Sequence, residues 1–201
     1  MKPKKLFTNA LATCLFIGTV SYSQADTTTK ICSEVTTNTP FKKVLTLKGI
    51  TFTITSPNNS SINKVTITPK ALKGSNAPVV VEADGIITDA EIDDLNEDGC
   101  PDLFIYVTSA GSGSYGSVIA YTTNKNKSLS PIYLTPVSDN PQDSKGYMGH
   151  DEFAVFEGSF IQRFNLYDDK GKKTEKMRQI QYKLKAGEAG FKLEKYNATD
   201  F

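Results

Sequence analysis

The chain of 201 residues is 38% hydrophobic and 22% charged, with 23 basic against 22 acidic side chains, a formal net charge of +1 and no tryptophan. That near-neutral balance leaves no cluster of Lys and Arg to serve as a nucleic-acid surface. No long amphipathic stretch points to insertion in a membrane surface.

At the start, Lys2, Lys4 and Lys5 precede an apolar stretch from Leu6 to Val20 that ends in "SYSQAD". The order predicts a secretory signal over residues 1–25, cleaved after Ala25. The apolar part, interrupted by Thr8, Asn9 and Thr13, is too short and too polar for a good membrane span. Lipidation of Cys14 in "LATC" is the rival reading, and Thr13 before the cleavage point speaks against it. Cleavage leaves 176 residues with 20 basic and 22 acidic side chains, a formal charge of −2, which suits a single domain with its own core. Two cysteines then remain, Cys32 and Cys100. In an oxidising compartment they are expected to pair, and closing so long a loop stabilises by roughly 4 kcal/mol in the chain-entropy account. Neither sits in a Cys-x-x-Cys arrangement, so a structural disulfide is preferred to a redox role.

Residues 26–40 are rich in Thr and poor in large apolar side chains, which predicts an extended, loosely held segment; residues 41–201 follow as one all-β domain. Ile50, Phe52 and Ile54 alternate with Thr51, Thr53 and Thr55, and beyond "SPNNSS" Val65 and Ile67 alternate with Thr66 and Thr68. Period two of this kind describes a hairpin with one buried face. Further runs stand at "PVVVEA", "DLFIYVTS", "GSVIAYTT", "PIYLTP", "EFAVFE", "SFIQRFNLY", "MRQIQYKLK" and "GFKLEKY", separated by polar turns such as "NKNK", "DDKGKK" and "AGEAG". No stretch carries a 3.6-residue period, although one helical turn is expected in "NPQDSKG". The expected fold is an antiparallel β-sandwich or barrel-like domain with a projecting Gly/Ser/Tyr loop.

Within this pattern "DLNEDGCPD" sets Asp94, Asn96, Asp98, Gly99 and Asp102 in the order Asp-x-Asn-x-Asp-Gly-x-x-Asp. Oxygen ligands at alternate positions, a Gly for the sharp turn and a closing carboxylate are what Ca²⁺ asks of a loop. The competing reading is a turn in which Asp and Asn side chains bond their own backbone. Cys100 would already pin such a loop, which favours the turn, so no metal or other cofactor is assigned.

The run "SAGSGSYGS" contains Gly111-x-Gly113-x-x-Gly116, the spacing of a dinucleotide fingerprint. Such a fingerprint must open a helix, whereas "SVIAYTT" reads as a strand and no acidic residue stands about twenty positions on to hold a ribose. A serine nucleophile fails too, since neither Ser112 nor Ser114 lies in Gly-x-Ser-x-Gly. Ser112 could be paired with the one histidine, His150, and with Asp151, but a histidine between polar neighbours at the start of a strand is more often structural. What remains is a connection between two strong strands in which Gly111, Gly113 and Gly116 permit positive φ and close approach. Ser112, Ser114 and Tyr115 put hydroxyls at its edge. Composition alone leaves open whether this is a recognition loop or a flexible loop with Tyr115 laid over the sheet.

The run "SAGSGSYGSVIAY", with "DLNEDGCPDL" before it and "KGYMGHDEFAVFEGSFIQRF" and "RQIQYKL" after it, resembles the bacterial periplasmic inhibitors of invertebrate-type (I-type) lysozyme over about residues 86–196. The resemblance implies a periplasmic, non-enzymatic protein whose partner is an I-type lysozyme of a host or grazer. In that family, and in the parallel inhibitors of chicken-type lysozyme, a Ser-Gly-x-Tyr loop enters the enzyme's active-site cleft. Ser112-Gly113-Ser114-Tyr115 fits that pattern. Two rivals come from other classes: a calcium-dependent exported carbohydrate-binding or adhesion module using Asp94, Asn96, Asp98 and Asp102, and a serine hydrolase built on Ser112 and His150. Open strand edges also allow a homodimer.

Overall fold

Threonines alternating with Ile and Phe can satisfy a sheet that is wet on one face and packed on the other, and the first strands do so. The computed structural model describes residues 39–187 and 190–201. The expected signal segment 1–25, nearly all of the extended segment 26–40, and Cys32 with its pairing to Cys100 lie outside the described residues. Strands β1 (Phe41–Leu47), β2 (Ile50–Ser56), β3 (Ile62–Lys70) and β4 (Val79–Asp84) form an antiparallel sheet in chain order. The β1–β2 turn holds Lys48 at φ 50° and Gly49 at φ 81°, the pair of positive φ values that a two-residue hairpin turn of the I′ type requires. Ile50, Phe52 and Ile54 are buried, with Phe52 opposite Pro69 and Ile54 opposite Ile67 of β3 across the hairpin that the period-two pattern predicts.

The other eight strands among the described residues make one sheet. They are β5 (Ile86–Asp93), β6 (Asp102–Thr108), β7 (Gly116–Thr122), β8 (Ser130–Leu134), β9 (Glu152–Phe156), β10 (Ser159–Tyr167), β11 (Lys173–Gly187) and β12 (Gly190–Asp200), in the spatial order β5-β6-β7-β8-β12-β11-β10-β9. All neighbours are antiparallel except β8 and β12, which run parallel with Phe191 opposite Ile132 and Leu193 opposite Leu134. The sheet curls into a nearly closed barrel. At the seam Glu91 of β5 accepts the Val155 N–H of β9 at 2.8 Å and also the Tyr106 hydroxyl, so one carboxylate spans the two edges. The fold class expected from the sequence is therefore observed, with one parallel pair added.

Strand β6 explains why two cores can share one chain. Its residues alternate between two apolar environments. Leu103, Ile105 and Val107 pack with Phe52, Ile54, Val65 and Ile67 between the sheets, while Phe104 and Tyr106 point into the barrel with Phe160, Phe164 and Ile180. A strand buried on both faces reads as a continuous apolar run, as "DLFIYV" does.

Three local details depart from the sequence reading. Strands β1 and β5 are additional to it, because Lys43 and Asp89 interrupt their apolar patterns; the two side chains form an ion pair at 2.6 Å. A 3-10 turn at Val137–Asp139 precedes residues 140–146, where the helical turn expected from the sequence is reduced to one bond, from the Ser144 N–H to the Asn140 carbonyl at 2.9 Å. Asn140 is extended, at φ −113° and ψ 108°, as a residue preceding a proline prefers to be.

Candidate functional site

The connection between β6 and β7 covers residues 109–115. Beyond the last ladder pair, Thr108 opposite Gly116, the Ser109 N–H donates to the Tyr115 carbonyl at 2.9 Å. Within the loop the Ser114 N–H donates to the Gly111 carbonyl at 2.9 Å, so that Ser112 and Gly113 occupy the corners of a turn. Positive φ falls on Ser114 (42°) and not on the three glycines, which corrects the expectation that they were needed for it. Close approach is what two of them provide. A Cβ on Gly113 would collide with the Tyr115 ring, and one on Gly116 would lie 2.5 Å from the Asp151 Cβ. Gly111 faces open space.

The loop is not free-standing. The segment from Tyr147 to Asp151 lies against it and is its main support. Gly149, at φ 82°, approaches the Gly113 carbonyl so closely that no side chain would fit. The His150 N–H donates to the carbonyls of Gly113 (2.9 Å) and Ser114 (3.2 Å). Asp151 then joins the segment to the sheet: one carboxylate oxygen accepts the Gly116 N–H and the Tyr147 hydroxyl, each at 2.7 Å, and the other accepts Gln162 Nε2 at 2.7 Å. Tyr182 donates to the Oε1 of the same Gln162 at 3.0 Å.

Aromatic packing continues the support inward. The Tyr115 ring meets Tyr147 edge-on at 5.6 Å, and Tyr147 meets the buried Phe164 at 4.6 Å. Edge-to-face pairs at such distances are favourable beyond the area they bury. Burial, and then the bond to Asp151, hold the Tyr147 phenol above the usual tyrosine range, so it stays a donor. The chain leading into Tyr147 is fastened by Arg178, which donates to the Gln142 and Asp143 carbonyls at 2.9 Å while forming a two-point pair with Asp200 at 2.7 and 2.8 Å. Facing outward are Ser112 and Tyr115, the latter 49% exposed, together with Met148 and His150 of the supporting segment. Beside Tyr115 runs an open groove of about 530 Å³ lined by Val118, Leu134, Val137 and Tyr147 among others.

Ser112, His150 and Asp151 are thus brought to one place, but not as a relay. His150 meets the loop through its backbone N–H, and both Asp151 oxygens are taken by Gly116, Tyr147 and Gln162. What the arrangement offers is an exposed Ser112 hydroxyl and a half-exposed Tyr115 phenol on a loop braced by the segment from Tyr147 to Asp151.

The acidic loop lies apart from this site, at the β5–β6 connection. Asp94 accepts the N–H groups of Asp98 (3.0 Å) and Gly99 (2.9 Å) and is paired with the Lys48 ammonium. Asp98 accepts the Cys100 N–H at 2.8 Å, and Asn96 donates to Asp98 at 3.0 Å. These are the backbone-directed bonds of the turn reading, with a lysine as counter-charge. Asp102 is fully buried and accepts the Leu95 N–H at 2.9 Å.

Residues 61–144 match the model of a family described as periplasmic lysozyme inhibitor of I-type lysozyme. The resemblance seen in the sequence is therefore borne out over a stretch that contains the whole 109–115 loop and ends short of Tyr147 and Asp151. No curated protein and no solved structure matches the chain.

Proposed function

We propose that this protein is an exported inhibitor of I-type lysozyme that blocks peptidoglycan hydrolysis by seating the loop Gly111–Gly116 in the enzyme's active-site cleft. The family match supports a periplasmic lysozyme inhibitor; the manner of inhibition is read from the loop. The observation that carries it is Tyr115, a half-exposed ring at the rim of a loop anchored from below. Aromatic anchors of this kind dominate binding energies at interface centres.

A lysozyme cleft presents two carboxyl groups flanking the scissile bond. Ser112 Oγ and the Tyr115 hydroxyl donate to such groups, Gly113 lets the backbone pass the cleft wall, and the Tyr115 ring fills space that a sugar would use. The inhibitor performs no chemistry of its own. With a mature charge of −2, long-range attraction to a basic enzyme is weak, so affinity rests on fit at the loop. The test is lysis of peptidoglycan by I-type, chicken-type and goose-type lysozymes with and without the purified mature protein. Inhibition of the I-type enzyme is expected to be strongest; equal rates with and without the protein would refute the reading.

A further inference from the structure

We infer that Asp151 is a positioning residue for inhibition, fixing the Ser112–Tyr115 loop in its binding shape before the partner arrives; the inference rests on the function proposed above. Two backbone bonds internal to the loop, Ser109 to Tyr115 and Ser114 to Gly111, do not join it to anything beyond its own stem. Among the described residues its hydrogen bonds to the rest of the fold come from the segment ending at Asp151, and that carboxylate is where three separate parts of the fold meet: the first residue of β7, the Tyr147 phenol beneath Tyr115, and Gln162 of β10.

The chemistry of the junction calls for an acceptor on every side. Tyr182 donates to Gln162 Oε1, which turns the Gln162 amide so that its N–H₂ faces Asp151. Gly116 offers an N–H and Tyr147 an O–H to the opposite oxygen. A carboxylate accepts all three, whereas an amide at this position sets an N–H₂ against a donor. Breaking the junction leaves partly buried donors unpaired and releases Tyr147, on whose edge the Tyr115 ring rests at 5.6 Å. The loop then pays its ordering cost on binding instead of on folding. Gly149 and the His150 N–H keep the segment near the loop in any case, so the loss appears as loosening and not as unfolding.

The experiment compares the parent, Asp151→Asn and the exchanged pair Asp151→Asn/Gln162→Glu. In that pair the new amide at position 151 donates to the new carboxylate at position 162, and the amide oxygen still serves Gly116 and Tyr147. For Asp151→Asn we expect a folded protein with a melting temperature lower by several degrees, hydrogen exchange at the Gly116 and Ser114 amides at least about tenfold faster, and binding to I-type lysozyme weakened about 10- to 100-fold with a slower association rate. The exchanged pair should recover both exchange protection and affinity. A folded Asp151→Asn protein that binds like the parent overturns the inference alone. So does an exchanged pair that remains as weak as the single variant, because the direction of the hydrogen bonds would then be irrelevant. A parent that does not bind I-type lysozyme refutes the proposed function, and the inference with it.

Discussion

Replacing Asp102 by Asn should remove a pH dependence that the fold imposes on itself. Asp102 is 0% exposed, one of its oxygens accepts the Leu95 N–H at 2.9 Å, and the other stands beside the Thr122 hydroxyl without a hydrogen bond of normal geometry, so Thr122 offsets its burial only weakly. Burial pushes its carboxyl from an ordinary value near 3.8 up to about 7, Thr122 and Leu95 oppose the shift, and the charges of Asp98 and Asp94 add to it. The folded pKa is therefore above the unfolded one. Between pH 4 and 7 the native state keeps a proton that the unfolded chain releases, so this group's contribution to stability falls as pH rises and is lowest above 7. About three pH units at 1.36 kcal/mol each set an upper bound near 4 kcal/mol, and local relaxation leaves about 2–4 kcal/mol. The substituted amide keeps an acceptor for Leu95 and gains a donor for the neighbouring Thr122 hydroxyl, which is itself buried. Urea unfolding of parent and Asp102→Asn from pH 4 to 8 is the assay. The variant should gain on the parent between pH 4 and 7 and level off above 7; a stability difference independent of pH would show that Asp102 ionises normally in the folded protein.

Two further outcomes concern the neighbourhood of that strand. Titration of the unfolded, unreduced mature protein should find no free thiol, as pairing of Cys32 with Cys100 requires, and two titratable thiols would remove the disulfide. EDTA should leave the melting temperature nearly unchanged, because Asp94 and Asp98 bond their own backbone and Lys48; a large calcium-dependent rise would show that the native state binds the ion.

Much of the architecture was legible because burial imposes periods. Ile50, Phe52 and Ile54 announce β2, and "DLFIYV" announces a strand covered on both faces. Strands β1 and β5 escaped because Lys43 and Asp89 satisfy each other across the fold, a pairing that no local pattern reveals. A barrel-like sheet was among the expected architectures, but the seam where Glu91 reaches Val155 was not legible, because it joins strands far apart in the chain. The loop itself stood out through its glycines and serines and through Tyr115. Its support did not: Gly149 and Asp151 act by meeting Gly113 and Gly116, more than thirty positions away. The only hint in the sequence was a glycine followed by a polar pair, "GHD", ahead of a strand, and it pointed to Asp151 as a partner of His150 instead of an acceptor for Gly116.

The central claim is that Tyr115 is the inhibitory anchor, and the inhibition constant of Tyr115→Ala against I-type lysozyme tests it most directly. Truncating an aromatic anchor at an interface centre costs about 2–4 kcal/mol, a loss of roughly 30- to 1,000-fold in affinity. Since the ring is 49% exposed in the free protein, the melting temperature should change little. A folded Tyr115→Ala protein that inhibits as well as the parent would contradict the account.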